Sequence, residues 1–418
     1  MPSDNTEQPE DTGPTRQDMI EGYLNYLNNP NVSKGDILKI LGSILEKNPD
    51  VDLEQDKPMH YKRFRRGYLR MLQNTNQFKH ERYHFRDVAL KFSYFGPHFH
   101  SFSVQRVSPN TVEGVLLQAL VHTCLIPSSD WEGLRWSRCG RTDKGVSGFG
   151  QVVSLRIRSR SKIEDPLCSV EEELNYCDIL NKVLPDSLKV WAWSPVSIGF
   201  NARHSCIARV YRYFFSDPED MEYDLCKMQE GAKFLVGEHD FRNFCSPNVL
   251  NTRHFIRALF KLDIKKLPSG DYEAIIIGRS FLYHQVRAMM SVLFLVGRGM
   301  ERPSIVEDML DLTKFPRKPQ FVIAPGEPLV LWDCAFEEDM YDIDWRFPKN
   351  FSYREGFISE FRLRACVIDA LYVPKYTDRL GIYRRRRRYV KLADREMEVD
   401  ILTKHQNTPG SLLNLDLI

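Results

Sequence analysis

The feature that most constrains this chain is a short segment rich in glycines and cations at residues 138–148, which reads Arg-Cys-Gly-Arg-Thr-Asp-Lys-Gly-Val-Ser-Gly. The glycines predict a tight turn, and alternating apolar residues at 152–157 predict that a half-buried strand follows. Its carboxylate, Asp143, stands among cations, and opposite charge lowers the pKa of a carboxyl group. We therefore expect Asp143 to be ionised, as a nucleophile must be, beside cations suited to phosphate. A surface turn with a local ion pair is the alternative interpretation.

The composition is that of a globular protein with more than one core. The chain has 418 residues, 42% of them hydrophobic and 27% charged, and a net charge of +2, which suits two modest units with appendages. No apolar run has the length of a membrane span, and the acidic opening is unlike a secretory or mitochondrial targeting sequence. The nine cysteines show no spacing suited to zinc, so we expect reduced thiols in the nucleus or the cytoplasm, or in both.

Two basic segments stand out from the nearly neutral average charge, at residues 62–66 and 383–389. In the second, Arg384 to Arg388 lie between Tyr383 and Tyr389. Arginines flanked by aromatic residues favour contact with RNA phosphates and bases. A solvated helix face or a nuclear import signal is the alternative interpretation for either segment.

Periodicity along the chain predicts an α+β fold. Residues 16–48 have helical spacing broken by a turn, which predicts a helical hairpin. A capping-box-like sequence at 110–113 predicts a helix to about Cys124, and helical patterns also lie at 170–183, 225–235, 282–296, from Pro303, and at 357–372. Strands are expected at 88–94, 152–157, 188–193, 210–215, 256–264, 272–277 and 329–336. Two halves with a similar pattern of strands and helices therefore follow one another along the chain.

Five segments in order along the chain are similar to motifs of the TruA family of tRNA pseudouridine synthases. They lie at residues 140–146, 200–213, 237–244, 281–299 and 328–334. Gln285, where many bacterial members have Met, resembles the eukaryotic branch that acts on tRNA positions 38 and 39. One departure is visible: Ser101 replaces a glycine of the first-strand motif, and we expect that loop to shift, since only glycine adopts positive φ freely.

The resemblance implies a fold and a division of the chain. It implies two ferredoxin-like halves in a pseudo-two-fold arrangement, with a joined antiparallel sheet and a central cleft. We place an N-terminal extension at residues 1–84, a disordered tip followed by helices. The N-terminal catalytic subdomain is expected at 85–205, the C-terminal one at 206–340, and a charged extension at 341–418.

The resemblance also implies an isomerase that converts uridine to pseudouridine in the anticodon stem-loop of tRNA, as a homodimer, without a cofactor or a metal. By its motifs, Asp143 is the catalytic residue, Arg287 pairs with it, and Tyr211 lies against a flipped-out base. Arg141, Lys144 and Arg203 are the candidates for binding the RNA. The same chemistry on other tRNA positions or on mRNA, and a catalytically silent tRNA-binding protein, stay open as alternatives.

Several conspicuous residues have structural interpretations. Tyr211 also fits an ordinary aromatic residue of a strand core. Cys139, beside the turn, has no base close by in sequence and is expected to pack rather than react. His239 and Asp240 are expected to hold local backbone, and His284 to be a core or cleft-lining residue.

Overall fold

One nine-stranded sheet organises the part of the chain that the computed structural model describes, which is residues 78–105, 110–217, 221–246, 254–347 and 389–398. All of these residues belong to the compact unit Arg63–Ile418. In chain order the strands are β1 (Tyr83–Tyr94), β2 (Ser137–Arg138), β3 (Ser147–Lys162), β4 (Leu188–Pro195), β5 (Cys206–Phe215), β6 (Gly237–Asp240), β7 (Ile256–Lys266), β8 (Tyr272–Gly278) and β9 (Leu329–Phe336). The helices are α1 (Val112–His122), α2 (Tyr176–Asn181), α3 (Leu225–Leu235), α4 (Gln285–Gly297) and α5 (Ile305–Leu310).

The strand order contains two copies of one pattern. The sheet runs β4-β1-β3-β9-β5-β8-β7-β6. The short strand β2 pairs with the edge of β3 that also contacts β9. The four strands of the first half have the order fourth, first, third and second. The second half has the same order once its short edge strand β6 is left out of the numbering, and this is the ferredoxin-like order expected from the resemblance. The α+β prediction of two joined halves is therefore confirmed.

The halves join through a short parallel contact between β3 and β9. Ser147 pairs with Val330 and Gly148 with Leu331, whereas the other strand pairs are antiparallel. The joined antiparallel sheet expected from the resemblance is therefore confirmed, and this contact is its one parallel pairing among the described strands. The join lies directly after the turn that contains Asp143, so the turn is held at the boundary between the halves.

Each half has its own hydrophobic core. In the first, Leu90, Phe92 and Leu155 of the strands pack with Leu116 of α1 and Leu180 of α2. In the second, apolar residues of β5, β7 and β8 pack with α3, α4 and α5. Within the described residues, no helix combines the length and the apolar character that crossing a bilayer requires.

Most elements agree with their sequence patterns, and the differences have local causes. The helix expected at 170–183 is only Tyr176–Asn181, because the carboxylate of Glu173 accepts from Arg86, Ser159 and the amide of Arg160 and holds the preceding residues in a loop. At α1 the cap is the Thr111 side chain, which accepts from Gly114 N. Glu113 does not complete a capping box, since its carboxylate accepts from Val104 N, Trp136 and Arg138 instead.

The helix expected from Leu282 begins at Gln285, because His284 has φ 62° in the left-handed region and cannot continue a right-handed helix. The expected helical hairpin at 16–48, the basic residues 62–66, the helix at 357–372 and the arginines 384–388 lie outside the described residues. The subdomain boundaries expected from the sequence stay predictions.

Candidate active site

The turn between β2 and β3 is fastened to its surroundings at both ends. The side chain of Gln151 in β3 accepts from Gly140 N at 3.1 Å and donates to Gly140 O at 3.0 Å. Gly145 has φ +82°, which favours glycine, and Val146 N donates to Asp143 O at 3.2 Å. The predicted tight turn is therefore present, and it presents Asp143 at its tip.

The loop after β1 packs closely against this turn. The hydroxyls of Tyr94 and Thr142 lie 2.8 Å apart, and Gly96 N donates to Ser147 Oγ at 3.0 Å. A Cβ at Gly96 would lie 2.3 Å from the carbonyl carbon of Val146, so the position requires glycine. Ser101 is not among the described residues with positive φ. The backbone there does not need a glycine in this structure, and the shift of the loop relative to the family motif stays a prediction.

The two halves bring Asp143 and Arg287 together, as the resemblance implies. Arg287 lies in the first turn of α4, and its Nη1 is 3.4 Å from Asp143 Oδ2. Its Nε donates to Ala324 O at 2.7 Å. The guanidinium therefore makes one long contact with the carboxylate and one short bond to the backbone. The two-pronged pairing expected from the shapes of these groups is not formed in this structure.

His284 faces the same carboxylate oxygen. Its Nε2 lies 3.5 Å from Asp143 Oδ2, and its ring stacks on Tyr283 with centroids 3.7 Å apart. Burial and the charge of Arg287 lower the pKa of His284 to about 4, so the imidazole is neutral at physiological pH. The expectation of a core or cleft-lining residue stays a prediction. The approach of His284 to Asp143 was missed, since sequence gives no sign of which way a helix-preceding side chain points.

Burial dominates the electrostatics of Asp143. Desolvation raises the pKa of its carboxyl group, and the nearby Arg287 opposes this without cancelling it. The prediction of a lowered pKa was wrong, because the carboxylate is removed from water and pairs with Arg287 rather than with the exposed cations of the turn. The side chains of Asp143 and Arg287 keep only 18% and 16% of their exposure. A weakly solvated carboxylate is a stronger base and nucleophile than an exposed one.

Tyr211 lies in the core beside the site. It belongs to β5, is 9% exposed, and packs edge to face on Phe281 with centroids 5.1 Å apart. It shares a cluster of buried residues with Val146 of the turn and Leu282 ahead of α4. Both interpretations of Tyr211 therefore keep support: it is a core aromatic, and it borders the turn that contains Asp143. Its contact with a base stays a prediction.

The three candidate RNA-binding residues are exposed around the turn. Asn201 Oδ1 accepts from Arg203 N at 3.0 Å, and Ala202 N donates to Ser137 Oγ at 2.7 Å, which docks this loop on β2. Although part of the Arg141 side chain reaches solvent, the protein around it desolvates its charge, and this effect, followed by the charges of Arg138 and Arg203, lowers the pKa of Arg141. These cations are therefore neighbours. Within the described part of the chain, Arg141, Lys144 and Arg203 form no ion pairs, whereas Arg138 pairs with Glu113.

A buried arginine that the sequence interpretation did not single out supports the turn. Arg209 is 9% exposed, and its Nη2 donates to Cys139 O and to Arg203 O, each at 2.9 Å. It thereby joins the start of the turn to the Arg203 loop. A charged residue at a buried strand position is the sequence signal that could have identified it.

Three further residues, His239, Asp240 and Cys139, were expected to have structural roles rather than catalytic ones. His239 Nε2 lies 3.0 Å from Val236 O, and Asp240 accepts from Arg242 N at 3.0 Å, so both hold local backbone as predicted. Cys139 is buried, as expected of a packing residue.

The chain is similar to known tRNA pseudouridine synthases. The family model for tRNA pseudouridine synthase matches residues 232–337, which include β9 and Arg287. The chain is 40% identical over 280 residues to the tRNA pseudouridine(38/39) synthase of Mus musculus, covering 62% of this chain and 57% of the relative. It is 37% identical over 311 residues to the protein of the same name from Saccharomyces cerevisiae, covering 70% and 67%.

An archaeal relative is matched over nearly its full length. The tRNA pseudouridine synthase A of Methanosarcina mazei is 31% identical over 293 residues, which cover 68% of this chain and 98% of the relative. In the mammalian relatives, by contrast, the matched region spans little more than half of the length of the protein, 57% in the mouse protein. This chain belongs to the tRNA pseudouridine synthase family.

Proposed function

We propose that this protein is a tRNA pseudouridine synthase, an isomerase that breaks the N1–C1′ bond of a uridine, turns the uracil and rejoins it through C5. The observation that carries the proposal is the environment of Asp143. Its half-buried carboxylate lies at the boundary between the halves, and one of its oxygens faces both Arg287 and neutral His284. A carboxylate placed in this way can act on a sugar carbon or proton without competition from bulk water.

The carboxylate has two chemical routes available. It attacks C1′ as a nucleophile, or it removes a sugar proton so that the uracil leaves and a glycal forms. Both need the ionised form, which Arg287 favours. Both also need a fixed orientation, which the bond from Arg287 to Ala324 O and the turn geometry supply.

The substrate base must leave its stack to reach Asp143, which costs a few kcal/mol. In our proposal Tyr211 provides an apolar surface for the flipped base, and Arg141 braces the vacated position. Lys144 and Arg203 bind backbone phosphates. This assignment is supported because both side chains are exposed beside the turn and form no ion pairs among the described residues.

The proposed targets are uridines 38 and 39 of the anticodon stem-loop. The support comes from relatives named tRNA pseudouridine(38/39) synthase in mouse and yeast. A homodimer is proposed from the family resemblance alone. The alternatives are the same chemistry at other positions or on mRNA, and a tRNA-binding protein without activity.

The test is to incubate the purified full-length chain with unmodified tRNA transcripts and to map pseudouridine by chemical labelling and sequencing. Transcripts with uridine or cytidine at positions 38 and 39 form matched substrates. Conversion confined to those uridines, and absent with Asp143→Asn, is expected. Conversion elsewhere would support the broader-target alternative, and binding without conversion would support the silent one.

A further inference from the structure

Three cysteines that are far apart in the sequence meet in the second core. Cys139 follows β2, Cys206 opens β5 and Cys334 lies in β9, and their sulphur atoms all lie within 4.8 Å of one another. Each residue is at most 5% exposed. Thiolate sulphur is the preferred ligand of zinc and of similar soft cations.

The buried cation beside them gives independent support. The Nε and Nη2 of Arg209 donate to Cys139 O, at 3.3 and 2.9 Å, and its other bonds also go to backbone carbonyls. Within the described residues Arg209 forms no ion pair with a carboxylate. A buried positive charge bound only to neutral carbonyls requires a counter-charge nearby.

We propose that Cys139, Cys206 and Cys334 bind one zinc ion as three thiolates. Their three negative charges are then balanced by the two charges of the ion and the one charge of Arg209. A monovalent ion such as Cu(I) would leave a net charge buried in the core, which is unfavourable. Among the described residues no fourth cysteine, histidine or carboxylate joins the cluster, so we assign the fourth position to a water molecule, which is neutral and keeps this balance.

The geometry is close to that of a zinc site. Zinc–sulphur bonds of about 2.3 Å place the sulphurs of a tetrahedral site about 3.8 Å apart. Because the sulphurs lie within 4.8 Å of one another, they need to approach by at most about 1 Å, which side-chain rotation can supply. The ion would tie the start of the turn, directly ahead of Gly140, to β5 and β9 of the other half. This inference does not rest on the proposed enzymatic activity.

The first experiment measures metal in the full-length protein, purified without chelators, by inductively coupled plasma mass spectrometry. About one zinc per chain is expected in the wild type and its loss in Cys206→Ser. Cys177→Ser is the matched control, since Cys177 is equally buried but belongs to the other core, and it should keep the ion. A zinc content near zero in the wild type after incubation with zinc, or full retention in Cys206→Ser, overturns the proposal.

A second experiment needs no variant. X-ray absorption of the zinc-loaded wild type should show three sulphur neighbours at about 2.3 Å and one lighter atom. Replacement by cobalt should produce a thiolate-to-cobalt charge-transfer band in the near ultraviolet. Four sulphur neighbours, or only nitrogen and oxygen, would place the ion elsewhere and contradict the assignment even if Cys206→Ser fails to fold.

Discussion

Asp143 and Arg287, from different halves of the chain, meet through one contact of 3.4 Å between Oδ2 and Nη1. The arginine makes its shortest bond, 2.7 Å, with Ala324 O. Arg287 therefore serves two partners: it offsets the charge of Asp143 and holds the segment that enters β9. The proposed chemistry depends on this bridge between the halves.

Asp143→Asn should abolish pseudouridine formation while tRNA affinity stays within a few-fold. Asparagine keeps the shape but has neither the charge nor the nucleophilic oxygen. Burial raises the pKa of Asp143, so the folded protein disfavours the ionised form and its charge reduces stability above that pKa. The variant should therefore melt no lower than the wild type, which calorimetry can check. Turnover near the wild-type rate would remove Asp143 from its role.

Arg287→Lys should lower the single-turnover rate by about tenfold or more, equivalent to about 1.4 kcal/mol. An ammonium group is compact and cannot reach both Asp143 and Ala324 O as the guanidinium does. Arg242→Lys is the matched control, since Arg242 contacts Asp240 outside the site, and it should keep the wild-type rate. Equal rates for Arg287→Lys and the wild type would argue against the bridge.

The rate should fall at acid pH as Asp143 is protonated. The active form is ionised, so activity is full above its pKa and lost below it, and burial places that pKa above the ordinary value. Arg287→Gln removes the opposing charge, so its acid limb should move to higher pH. His284, with a pKa of about 4, should add no inflection near neutrality. An inflection there that disappears in His284→Asn would contradict this assignment.

Tyr211→Phe should keep most of the activity, whereas Tyr211→Leu should lose it. Phenylalanine keeps the ring that packs on Phe281 and that we propose to contact the flipped base, and such stacking is worth about 1–3 kcal/mol per base. Single-turnover rates with both variants provide the comparison. A large loss in Tyr211→Phe alone would instead assign a role to the hydroxyl.

Alanine at Arg141, Lys144 or Arg203 should weaken tRNA binding and reduce its salt dependence. Removing one cation from a phosphate lowers the slope of log K against log salt by about 0.7 to 0.9. Lys162→Ala is the control, because Lys162 is exposed at the far end of β3. Slopes equal to that of the control would contradict the phosphate-binding role.

For the arginines 384–388, which lie outside the described residues, we predict the same loss of tRNA affinity and the same reduction of the salt slope on substitution by alanine. Nuclear import is the competing explanation for this segment.

Sequence by itself determined the local elements and singled out Asp143 as the candidate residue. Helix Leu225–Leu235 and strand Leu329–Phe336 were predicted at the bounds observed, because hydrophobic periodicity and short-range caps are properties of neighbouring residues. Asp143 could be singled out because a glycine-rich turn with one carboxylate is itself a local pattern.

Only the tertiary structure decided what surrounds Asp143 and how it ionises. The direction of its pKa shift was mispredicted, since burial depends on residues from both halves that no local window contains. The approach of His284, the support from Arg209 and the meeting of Cys139, Cys206 and Cys334 have the same origin. These side chains are distant in the chain, and the parallel join of β3 and β9 brings their segments together. Desolvation and through-space charge act over distances in space, so the fold had to be known before they could be assigned.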